Sequence, residues 1–94
     1  MERIINTVTE VTGINLSQMK NRKPIENVFA RYAAMLLLRE EAYSNVQIAI
    51  LFGYQRSNIT HAFAAINNLL ETNKTFKKTY LACIAYLAEL EDAA

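Results

Sequence analysis

The run FGYQRSNITHAFAAI, residues 52–66, gathers most of the side chains in this chain that could do recognition chemistry. Gln55, Arg56, Ser57, Asn58, Thr60 and His61 stand close together, and no Asp or Glu occurs anywhere in 55–70. On a helix whose Ile59, Phe63 and Ile66 point inward, these polar residues fall at the N-terminal end or on the exposed side. Their chemistry suits the edges of base pairs. Arg offers two donors to guanine O6 and N7, Gln and Asn pair with adenine N6 and N7, and the methyl of Thr packs on thymine. Free backbone N–H groups at such a helix start also hold a phosphate. An ordinary solvated helix face would instead carry Glu and Lys in pairs four residues apart.

Catalysis fits these residues poorly. Ser57 and His61 share a helix face, but neither a paired cysteine nor a neighbouring carboxylate pair accompanies them, so no enzymatic activity is expected. One cysteine, Cys83, excludes an internal disulfide, and with a single His the chain lacks a zinc set; no cofactor and no metal are expected. Cys83 is read as a small core residue of the last helix.

The elements that must carry the 55–61 cluster follow from apolar spacing, which is helical nearly throughout. Ile4, Ile5, Val8 and Val11 share one face of a first helix that Gly13 can end, and a short helical turn over 16–20 follows. Pro24 suits the first turn of a long helix running to about 42, with Val28, Tyr32, Met35, Leu36 and Arg39 at three- and four-residue steps. Ser44 with Gln47 is a capping-box pattern opening a short helix over 45–52. Gly53 stops it, and Ser57 is a cap for the next helix, whose Ile59, Ala62, Phe63, Ile66 and Leu70 face inward. After a break at Thr72, Asn73 and Thr75, Phe76, Tyr80, Ile84 and Leu87 form the inner stripe of a final helix.

Within this order, 45–64 has the spacing of a helix-turn-helix. Ile48 and Phe52 are buried positions of its first helix, Ala49 is small where the second helix crosses, Gly53 makes the turn, and Tyr54, Ile59 and Ala62 fill the elbow. In such a motif, base-reading residues come from the start of the second helix, where Gln55 to His61 stand.

Ninety-four residues, just over half of them hydrophobic, bound the chain to one domain with a single modest core. No apolar run, 33–38 and 80–88 included, approaches the ~20 residues of a membrane span, so a soluble, cytoplasmic protein without a membrane partner is expected. A net charge of +1 is low for a DNA binder, but its distribution is uneven. Lys20, Arg22, Lys23 and Arg31 face only Glu26 within 20–31, Lys74, Lys77 and Lys78 make a second basic group, and Glu89, Glu91 and Asp92 restore the balance at the end.

Over roughly residues 4–88 the chain resembles the C-terminal DNA-binding domain of the bacterial replication initiator DnaA. The likeness rests on the opening IINTVTEVTGINLSQM, the basic KNRKP, the helix ARYAAMLLLRE with Arg31 and the Ala34-Met35 pair, and a signature-like segment in which Ser57, Asn58, Ile59 and His61-Ala62 are similar. The chain departs from the family in GYQRSNI, one residue shorter and without an Asp-His pair. It departs again at Ile25, which an ungapped match sets where the family carries a minor-groove Arg. No Gly-Lys-Ser/Thr phosphate loop is present, so a stand-alone relative is expected rather than a whole initiator, and the start MERIINTV favours that case.

The resemblance implies an all-α, Trp-repressor-like domain of about five helices containing a helix-turn-helix. It also implies sequence-specific binding of double-stranded DNA in replication initiation or its regulation. Lys20, Arg22, Lys23 and Arg31 would bind the backbone, and Gln55, Arg56, Ser57, Asn58, Thr60 and His61 would lie at the bases. A transcriptional regulator, or a protein-interaction module that kept the fold and lost the DNA contacts, are the alternatives. No small-molecule substrate is expected. The expected state is a monomer, with a dimer through the last helix as the alternative, because Leu81, Cys83 and Leu87 extend its apolar surface to either side of Tyr80 and Ile84.

Overall fold

Residues 1–93 are described by the computed structural model, which is all-helical: α1 (Glu2–Thr12), α2 (Leu16–Met19), α3 (Ile25–Glu40), α4 (Asn45–Phe52), α5 (Arg56–Thr72) and α6 (Lys74–Ala93). Six helices replace the expected five or so, because 16–19 is a helix of its own. Its start is a capping box: Asn15 Oδ1 accepts from the Gln18 N–H and Gln18 Oε1 accepts from the Asn15 N–H, both at 2.9 Å. The same reciprocal pair, Ser44 with Gln47, opens α4 as its sequence indicates.

Helix ends follow local chemistry. Gly13 and Gly53 take φ of 76° and 75°, closing α1 and α4 in the left-handed conformation that glycine adopts without a Cβ penalty. The third such end belongs to an alanine. After α3, Ala42 sits at φ 68° while the Tyr43 N–H reaches back to the Leu38 carbonyl and the Ala42 N–H to that of Arg39, the pairing of a Schellman motif. Pro24 caps α3 from outside rather than joining its first turn. Ser57 is not the cap of α5 either; Gln55 takes that position, and its side chain makes no capping bond.

α3 organises the domain. Ala30, Ala33, Ala34, Met35, Leu36, Leu37 and Leu38 are all buried, more than one face can hold, so the other helices surround it. The alanines let neighbouring backbones approach closely. Ile4, Ile5 and Val8 of α1, Ile48 and Phe52 of α4, and Ile59, Phe63 and Ile66 of α5 complete one shared core. Phe76 is fully buried at the start of α6, its ring tilted against Phe29 at 5.6 Å and edge-on to Tyr32 at 6.5 Å.

The inner stripe of α6 differs from the expected one. Phe76, Cys83 and Leu87 are buried, Tyr80 is half-buried and Ile84 is exposed, so the helix is rotated toward its small residue. Arg39, expected on the inner stripe of α3, is exposed, with its guanidinium 4.5 Å from the centre of the Phe63 ring. No helix among the described residues is long and apolar enough to cross a membrane.

Candidate nucleic-acid interface

Gly53, Tyr54 and Gln55 turn the chain from α4 into α5. The Tyr54 N–H closes back on the Ala49 carbonyl at 2.9 Å, so the start of α5 is set directly by the end of α4. Ile59, Ala62, Phe63 and Ile66 are buried as expected, which fixes the rotation of α5. Gln55, Arg56, Ser57, Asn58, Thr60 and His61 are all exposed in consequence.

At 100° per residue these side chains fan out around the free face. Arg56 and Thr60 border a groove of about 510 Å³ between α4 and α5, together with Val46, Ala49 and Ile50. Gln55 and Asn58 border a cleft of about 400 Å³ on the other flank. Ser57 and His61, four residues apart, lie between the two. The uncapped start of α5 leaves first-turn N–H groups available to an anion.

Opposite Gln55 and Asn58, the cleft is walled by Lys20, Arg22 and Arg31. Two sequence segments more than thirty residues apart thus meet around one polar hollow. Lys20, Arg22 and Lys23 are exposed and enter no ion pair among the described residues, and the same holds for Arg56. Both ion pairs there belong to Arg3, which holds Glu41 at 2.9 Å and Glu91 at 3.4 Å beyond the C-terminal end of α3. The basic loop sits at the N-terminal end of the same helix, ~24 Å away along a 16-residue rise. Unpaired cations thus gather at one end of α3, while at the other two carboxylates share a single arginine.

Arg31 is placed differently from its three companions. It is 9% exposed, and its Nη1 donates to the Met19 carbonyl at 2.8 Å and to the Asn21 carbonyl at 3.4 Å. Its guanidinium carbon lies 5.4 Å from the Tyr32 ring centre and 5.7 Å from that of Tyr54. Burial pushes the Tyr54 phenol above its ordinary range, a shift the adjacent Arg31 partly opposes. The sequence carries a signal for this burial: Arg31 precedes Ala34 and Met35 by three and four residues, the spacing of one helix face.

Asn27, also buried, is the residue that sequence reasoning missed; its Nδ2 donates to the Lys23 carbonyl at 3.1 Å. The second basic group lies apart, with Lys78 on a different groove beside Glu26 and Thr75. Ile25, at the head of α3, is 56% exposed next to the basic loop. No family model, curated protein or solved structure matches the chain.

Proposed function

We propose that this chain is a sequence-specific double-stranded DNA-binding domain in which α4 and α5 act as a helix-turn-helix. In this reading α5 enters the major groove, Arg56, Ser57, Thr60 and His61 meet base edges, and Gln55 and Asn58 stand at the junction with the backbone. Lys20, Arg22 and Lys23 neutralise flanking phosphates. The observation that carries it is the shared cleft: the exposed, unpaired cations of the 20–23 loop lie beside the acid-free start of α5. A backbone phosphate held there would orient α5 toward the bases.

The resemblance to the DnaA DNA-binding domain supports a role in replication initiation or its regulation, in a bacterial cytoplasm. A second reading, a protein-interaction module, is favoured by Ile50, which is 77% exposed on α4 beside Val46. Selection from a random duplex pool, followed by titration of the enriched and a scrambled duplex at low and moderate salt, separates the two. DNA binding predicts retention that weakens with salt on both duplexes, with the enriched one held more tightly. No retention at low salt defeats it and leaves the interaction module.

A further inference from the structure

We infer that Arg31, assisted by Asn27, is a positioning residue that fastens the basic loop to α3 and to the α4–α5 turn, holding phosphate and base contacts in one register. The inference rests on the DNA-binding reading for its purpose, and on independent geometry for its mechanism. Three alternate carbonyls from the end of α2 through the loop, those of Met19, Asn21 and Lys23, are each held by a side chain of α3. Arg31 supplies the first two and Asn27 the third.

The Arg31 guanidinium carbon also lies 5.7 Å from the centre of the Tyr54 ring, and Tyr54 is the residue whose N–H closes the turn on Ala49. One buried group therefore touches both halves of the cleft. Lys20 and Arg22 branch from loop residues whose neighbours it holds.

The cost of this arrangement argues that the tie matters. Arg31 is buried with no carboxylate within ion-pair distance among the described residues, and its Nε has no hydrogen-bond partner. A largely buried cation without a counter-ion is expensive, and here it is offset by two carbonyl dipoles, two ring faces and the edge it keeps on the open cleft. A methionine or leucine would fill the same space without that cost. Neither could hold the loop.

The test compares the full chain with Arg31→Gln in two measurements. Without DNA, amide exchange at residues 20–23 should quicken about tenfold or more while α1, the middle of α3 and α6 keep their protection. With a duplex, a side chain touching one phosphate would lower the salt slope by about one unit, additively with Lys20→Ala/Arg22→Ala. A positioning residue should lower it by about two, and add almost nothing once Lys20 and Arg22 are gone.

Unchanged exchange at 20–23, or a one-unit additive loss, overturns the inference and makes Arg31 a direct phosphate contact. If Arg31→Gln does not fold, Arg31→Lys keeps the charge but loses the planar fork, and the same two comparisons apply. If the unaltered chain binds no duplex, the DNA reading fails by itself, and the exchange measurement still decides whether Arg31 holds the loop.

Discussion

Replacing Lys20 and Arg22 together by Ala removes the two exposed cations that face α5 across the cleft. Neither enters an ion pair among the described residues, so the fold loses no charge partner, and stability should stay within about 0.5 kcal/mol of the unaltered chain. Binding should respond differently. Each phosphate contact contributes about 0.9 to the slope of log affinity against log salt, so the double replacement should lower the slope by ~1.8. Between ~50 and ~200 mM salt, a fourfold change, the unaltered chain should then lose about twelvefold more affinity than the variant. The difference in affinity should be largest at low salt and nearly the same on every duplex. Fluorescence anisotropy of a labelled duplex across that salt range measures the slope, and thermal unfolding by circular dichroism controls for the fold. An unchanged slope with an intact fold would refute the reasoning, since the loop would then touch no phosphate.

Arg56→Ala should cost about 1 to 3 kcal/mol on the preferred site and relax preference at one base pair, with thermal unfolding unchanged; equal loss on every duplex would assign Arg56 to the backbone instead. His61→Ala should likewise weaken binding and leave stability alone, and unfolding of that variant would mean that the outward face of α5 has been misassigned. Ala42→Gly relieves a left-handed alanine worth about 1 to 2 kcal/mol of strain, against ~0.4 to 1 kcal/mol of added freedom in the unfolded chain. Its melting temperature should therefore rise by a few degrees, and a fall would contradict the assignment. Burial pushes the Cys83 thiol from 9.0 up to about 11, favouring the protonated form in the fold. That contribution is complete below the unfolded value and is lost as pH climbs through about 11, so stability measured by denaturant should decline more steeply over pH 9 to 11 than in Cys83→Ala, by at most ~3 kcal/mol.

The helices were legible wherever a boundary is written in local chemistry. The Ser44–Gln47 capping box and the two glycines mark ends that the structure reproduces, because each depends on a few adjacent residues. The burial of Ile59, Ala62, Phe63 and Ile66 was legible too, since a three- and four-residue stripe leaves one choice of inner face. α6 shows the limit. Its apolar residues are spread widely enough for several stripes, and packing around Phe76 and Cys83, a tertiary matter, selects one that leaves Ile84 outside. The end of α3, expected at about 42, falls at Glu40, and what the sequence did not mark is that an alanine rather than a glycine takes the left-handed position there. Of the candidate site, exposure of the α5 residues and of Lys20, Arg22 and Lys23 could be read in advance. The partners of Arg31 could not, because they are backbone carbonyls brought near by folding, and carbonyls leave no mark on a sequence.

Amide shift mapping tests the proposed DNA-contacting face most directly. Titrating the isotope-labelled chain with a mixed-sequence duplex at low salt should perturb residues 20–23 and 55–61 together, with the face around Arg3, Glu41 and Glu91 unmoved, since nonspecific binding uses the same cations. Perturbations confined to α6 or to the Arg3 face, or none at low salt, would contradict the assignment of α5 and the 20–23 loop as a DNA-binding surface.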